Sequence, residues 1–150
     1  MSPQSSKANT DVTTSLRMVS IAGHVEEAVE ATLTFRAAEP FLVQARFTLP
    51  GANSVDWVLS RDLLREGVAL PTGIGDVRIY PGDQGLLLEL RSNLGRAFLY
   101  GPIEPVVDFV QRIYALVPDG AEDQHYSVDA EMQTLVGAWA DPDRHSSGSS

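Results

Sequence analysis

Residues 55–81 read Val55-Asp56-Trp57-Val58-Leu59-Ser60-Arg61-Asp62-Leu63-Leu64-Arg65-Glu66-Gly67-Val68-Ala69-Leu70-Pro71-Thr72-Gly73-Ile74-Gly75-Asp76-Val77-Arg78-Ile79-Tyr80-Pro81. Val55, Trp57 and Leu59 alternate with Asp56, Val58 and Ser60, the period of a strand with one buried face, which places Trp57 in the core. Ser60 can accept from the free amides of a following helix, and Asp62 complements the helix's positive end. Gly67 suits a left-handed turn after it, so Ser60 to Gly67 predicts a two-turn helix with both ends specified. Pro71, Gly73 and Gly75 break the chain, and Val77 and Ile79 then alternate with Arg78 and Tyr80 up to the Pro81-Gly82 turn. A helical detour between two strands is the expected local structure.

The flanks continue the strand pattern. Residues 1–15 are polar and Ser/Thr-rich and read as a disordered tail; Leu16 and Met18 begin a first strand that ends at Gly23. Val29, Ala31, Leu33 and Phe35 alternate with polar residues, as do Phe41, Val43, Ala45, Phe47 and Leu49 after the Glu39-Pro40 break, which predicts an antiparallel hairpin. Pro50 to Asn53 turns the chain into the strand of Trp57. After the central stretch, Leu86, Leu88 and Leu90 alternate with Leu87, Glu89 and Arg91, and Ala97 and Leu99 with Phe98 and Tyr100. Two antiparallel meanders follow from this pattern.

Beyond Gly101-Pro102 the period changes to that of a helix. Val106, Val110, Ile113 and Val117, flanked by Ile103, Val107 and Tyr114, form one apolar stripe that Pro118-Asp119-Gly120 ends. Ser127 or Asp129 can cap a second helix with Val128, Met132, Leu135, Val136 and Trp139 as its stripe. The expected class is α+β: antiparallel sheets of about seven strands, a short central helix and two C-terminal helices. One domain spans 16–140, with a flexible tail over 141–150.

Composition narrows the chemistry. The 150 residues include no cysteine, so disulfides, thiol catalysis and cysteine-ligated zinc are excluded. The apolar runs are too short to span a bilayer, and residues 1–9 lack the apolar core of a secretory signal, so no membrane insertion or export is expected. Eleven basic against twenty acidic residues give a net charge of -9, which repels a phosphate backbone at long range. Glu26, Glu27 and Glu30 cluster, but a solvated acidic surface explains them better than a cation site. Thr72 to Asp76 begins a glycine fingerprint without a third glycine or a following helix, so a tight turn is preferred to a phosphate loop. Glu122, Asp123 and His125, or Asp141, Asp143 and His145, lie in polar segments where an ordered metal site is costly. Asp56, Asp76 and Glu89 fall on outward or turn positions rather than in an apolar cleft. No catalytic, cofactor or metal residues are therefore assigned.

The run Val55 to Val58, Ser60 to Leu64, Gly67, Pro71 to Arg78 and Tyr80-Pro81 resembles the SsgA-like sporulation and cell-division proteins of actinomycetes. The resemblance implies a non-enzymatic regulator of cell division and sporulation that uses no cofactor. Its best-understood branch recruits the tubulin-like division protein FtsZ to septum sites in the cytoplasm. It also implies two antiparallel sheets with C-terminal helices, similar to the Whirly single-strand-binding proteins, assembled as a homotrimer. Partners would be further copies of the chain, FtsZ, and other SsgA-like or division proteins. The alternative is a single-stranded nucleic-acid-binding module, which the acidic surface disfavours. The polar positions of the motif, Asp56, Arg61, Asp62, Arg65 and Arg78, are the expected partner contacts. Trp57, Leu63, Leu64, Gly67, Pro71, Gly73 and Gly75 are the expected scaffold. The longer N-terminal tail and the acidic positions Glu26 to Glu30 depart from the family pattern and leave the paralogue open.

Overall fold

A computed structural model of the chain describes residues 10–22, 25–49, 51, 53–93 and 95–124. Strands β1 (Asp11–Ala22), β2 (Val25–Arg36), β3 (Leu42–Thr48) and β4 (Ser54–Ser60) form the first meander, and helix α1 (Arg61–Gly67) follows directly. Strands β5 (Thr72–Ile74), β6 (Val77–Pro81), β7 (Gly85–Ser92) and β8 (Gly95–Pro102) form the second, before helix α2 (Glu104–Leu116) and a 3-10 turn at Glu122–Gln124. The strands make one antiparallel eight-stranded sheet in the order β4-β3-β2-β1-β8-β7-β6-β5. β1 joins the halves by pairing Val19, Ser20 and Ile21 with Tyr100, Leu99 and Phe98.

The sheet curls so that its two halves face each other. Leu16, Leu33, Phe47, Leu59 and Leu64 from one side meet Leu86, Leu88 and Val106 from the other around one apolar cavity. α2 packs on β1 and buries Val106, Phe109, Val110 and Ile113. Phe35, Val43, Ala45, Ile79, Phe109, Ile113 and Val117 have no exposed surface. The alternation read from the sequence is therefore the inward face of β2, β3, β6 and β7. Among the described residues no helix is long and apolar enough to cross a membrane.

Several expectations need correction. Among the described residues the strands number eight in one continuous hydrogen-bonded sheet, not about seven in two, because the β1–β8 seam joins the meanders across some eighty positions and leaves no local signal. β1 starts at Asp11, so residues 11–15 are strand and not tail; Val12 is buried, while Thr13 and Ser15 face out with side chains too small and polar to reveal a strand by hydropathy. Thr72–Ile74 is the added strand, closed onto β6 by Gly75 at a left-handed φ of 59°. Phe41 and Val55 were expected inside but are exposed, Val55 lying at the start of edge strand β4. Gly67 does not make the left-handed turn: it remains helical and the chain continues through Val68 at φ -80° and ψ -8°. A glycine is needed there because a Cβ would stand 2.8 Å from Ile79. The second C-terminal helix expected from Ser127 or Asp129, and both chain ends, lie outside the described residues.

Candidate interaction site around helix α1

Ser60 caps α1 as expected: the Leu63 amide donates to its Oγ at 2.9 Å, which satisfies one of the free amides of the first turn. Leu63 and Leu64 point into the core. Arg65 follows Asp62 by three residues and stands beside it on the exposed side.

Arg61, by contrast, is internal, with 1% of its surface exposed. Its Nη1 donates to the Val117 carbonyl at 2.6 Å and its Nη2 to Glu122 Oε2 at 2.7 Å. The guanidinium lies 4.0 Å from the Tyr114 ring centroid and 5.9 Å from that of Phe35. A desolvated cation is tolerable only when charge and hydrogen bonds are returned to it, and here a carboxylate, a carbonyl and an aromatic face do so. Arg61 thus ties α1 to the segment that leaves α2.

Tyr114 holds the cluster together. Arg65 stacks on its ring at 4.3 Å, so two guanidinium groups contact one phenol, whose hydroxyl donates to Asp62 Oδ1. Burial, and then the hydrogen bond to Asp62, push the Tyr114 phenol far above its ordinary range, so it remains a donor. Arg65 Nη1 also donates to Asp119 Oδ2, and Nη2 to Asp62 Oδ1 at 3.3 Å. The Glu122 carboxyl is held below its ordinary value by its own backbone amide first and then by Arg61 and the Gly120 amide, against the opposing effect of burial. Two arginines and three carboxylates are therefore interlocked, and what reaches solvent is the paired surface of Asp62, Arg65 and Asp119.

The remaining motif residues lie elsewhere. Asp56 is on the outer face of β4, where Arg46 on β3 grips it with two bonds of 2.7 and 3.0 Å and holds its carboxyl below the usual range. Arg78 is exposed on β6, near the opposite edge of the sheet, opposite Glu89 and Gly73. The five polar positions expected to meet a partner thus divide among a helix site, one sheet edge and the region of the other. Trp57 is half-buried and lines a groove with Phe47, Leu49, Val55, Leu90 and Leu99. Pro71 is exposed just before β5, and the stem of Arg78 lies over Gly73, where a Cβ would come within 2.9 Å of it.

Sequence reading overlooked Tyr114, Asp119 and Glu122 as parts of the α1 site. Their positions flanking the α2 stripe and in the stop after it are visible in the sequence, but nothing local links them to a helix more than fifty residues earlier. Glu122, weighed as a metal ligand, instead pairs with Arg61. Among the described residues no group of three or more His, Cys, Asp or Glu side chains is placed to hold a metal ion.

Comparison with known proteins supplies what the geometry does not. The profile of the family "Streptomyces sporulation and cell division protein, SsgA" matches residues 29–122, which run from within β2 through α2 and include all of the α1 site. The sporulation-specific cell division protein SsgB of Streptomyces coelicolor is 38% identical over 112 residues, covering 72% of this chain and 82% of that protein. Among solved structures, the SsgA-like sporulation-specific cell division protein of Thermobifida fusca superposes with a TM-score of 0.74 at 30% identity, over 84% of this chain and 96% of that one. A structure tied to SsgB mutations that correlate with longitudinal division during sporulation of S. coelicolor gives 0.72 at 35% identity, over 78% and 96%.

Proposed function

The chain belongs to the SsgA family of sporulation and cell division proteins, and from that premise we propose that it is a non-enzymatic adaptor that positions the division machinery during sporulation. The partner is FtsZ or another division protein, met in the cytoplasm at the future septum. The observation that carries this reading is the α1 site itself: its charged groups are spent on one another rather than aimed at a reacting atom, and they form a fixed surface. A catalytic centre needs an acid or base free to move a proton. A docking surface needs only a defined shape and charge pattern.

The adaptor works as a homotrimer. β4 is an edge strand, and Val55 and Val58 expose apolar surface on its two faces, the kind of edge that association covers. Three copies of a weak contact raise the effective concentration of the second and third, so firm attachment to a polymer does not require a tight single site. The nucleic-acid alternative is disfavoured at α1, where carboxylates outnumber arginines.

The test is a fluorescent fusion in a sporulating actinomycete, with Arg65→Glu as the variant because Arg65 is partly exposed and Arg61 is buried. Regularly spaced bands at septa are expected for the wild type, dispersed in the variant while light scattering still shows a folded trimer. A wild-type fusion spread evenly through the cell during sporulation rejects the division reading. Bands that persist in Arg65→Glu move the contact away from α1.

A further inference from the structure

The outer face of β6, β7, β8 and β1 differs in chemistry from the rest of the molecule. Directly opposed residues share a face, so the register builds cross-strand rows. One row runs Arg78, Glu89, Phe98, Ile21; the next runs Tyr80, Leu87, Tyr100, Val19; at the hairpin end Arg91 faces Arg96. Tyr80, Tyr100 and Ile21 are all more than a third exposed. Tyr100 lies flat because Gly85 has no side chain: a Cβ there would fall 1.9 Å from the Tyr100 hydroxyl oxygen. The result is a smooth apolar and aromatic surface that nothing among the described residues covers.

Its charge is also out of balance. On β6 to β8 this face carries three arginines and one carboxylate, in a chain whose net charge is -9. Arg91 and Arg96 stand directly opposite each other, an unfavourable like-charge pair. Both lean on the same anion, Glu89, at 3.7 and 3.3 Å, and Glu89 is 4% exposed. Tyr80 donates to its other oxygen at 3.4 Å. One carboxylate is thus shared by two arginines, and Arg78 has no ion-pair partner among the described residues. A second anion would relieve the repulsion.

We propose that this face docks an acidic polypeptide segment bearing apolar side chains, its carboxylates on Arg78, Arg91 and Arg96 and its apolar groups on Tyr80, Leu87, Phe98, Tyr100 and Ile21. Four strands at about 4.8 Å spacing are crossed in roughly 14 Å, the reach of about four or five extended residues. A polypeptide suits the surface better than a nucleic acid. Leu87, Val19 and Ile21 offer aliphatic contact that suits the apolar side chains of a polypeptide and gives stacked bases no platform. The proposal rests on β1 and β6 to β8 alone and is independent of the septal reading.

The test uses the full isotope-labelled chain and a short synthetic peptide in which Asp and Glu alternate with Leu and Phe. Saturable NMR shifts centred on Tyr80, Leu87, Phe98 and Tyr100 are expected. The dissociation constant should rise about tenfold or more in Arg78→Ser/Arg91→Ser, as charge-assisted contacts are lost. Arg96 and Tyr80 still hold Glu89 in that variant, and circular dichroism checks its fold. The same peptide with Lys replacing its acids should not bind. Oligothymidylate that binds this face as tightly as the peptide overturns the proposal in favour of nucleic acid. Dissociation of the assembly by the double substitution makes the face an interface between copies instead, and the absence of saturable shifts refutes docking outright.

Discussion

Arg61 and Val117 lie fifty-six residues apart in sequence and meet through a 2.6 Å hydrogen bond from the first guanidinium nitrogen to the second residue's carbonyl. The bond fixes the start of α1 against the end of α2. It also determines which substitutions can probe the α1 surface without unfolding it.

Arg61→Ala should destabilise the fold by about 3 kcal/mol, because it strands the Val117 carbonyl, removes the partner of Glu122 and empties the space beside Tyr114. Arg61→Met refills that space and should lose less. Urea denaturation of both variants gives the order, and a loss under about 1 kcal/mol for Arg61→Ala would place the residue's role outside stability. Reversing the charge at Arg61 should give an unfolded protein rather than a folded one that fails to bind.

The low carboxyl value of Glu122 makes the same clamp sensitive to acid. The unfolded chain takes up the proton first, near the ordinary value of 4.5, so the contribution is complete above that pH and disappears as pH falls through the lower folded value. Asp56 adds a contribution of the same sign through Arg46. Melting temperature followed from about pH 6 to about pH 2 should fall less steeply in Glu122→Gln than in the wild type. Parallel curves would show that the clamp does not depend on the charge of Glu122.

Gly67→Ala and Gly75→Ala separate two reasons for glycine. Alanine at 67 favours the helix by about 1 kcal/mol, yet its Cβ would stand 2.8 Å from three carbons of Ile79, and such overpacking costs about 1–3 kcal/mol. Alanine at 75 meets nothing within 4 Å but must adopt a φ of 59°, a cost of about 1 kcal/mol. Denaturation midpoints should show net destabilisation in both. A Gly67→Ala variant as stable as the wild type would mean that β6 moves away from α1 freely.

Trp57→Ala should cost about 2 kcal/mol, less than the roughly 3–5 kcal/mol typical of a fully buried ring, since Trp57 is only half-buried against Phe47 and Leu49. Chemical denaturation measures it. A loss in the higher range would indicate that the groove is covered in solution.

The strands β2, β3, β6 and β7 were legible because alternation is a local property: period two puts every second residue on one face, and water sorts the faces. The Ser60 cap and the stripe of α2 were legible for the same reason, since each uses residues within one or two turns of each other. The motif in residues 55–81 likewise identified the family from its residues alone, and the profile match over 29–122 agrees. Tertiary structure alone decided that β1 joins the two meanders, that Arg61 is interior while Arg65 reaches the surface, and that Gly67 yields space to Ile79. It also decided that Glu89, on an outward position, is buried by arginines and a tyrosine from neighbouring strands. The physical reason is common to all four. Which distant segments pair, close over a charged group or crowd a backbone position is determined by packing in three dimensions, whereas periodicity along the chain reports only the side on which a residue begins.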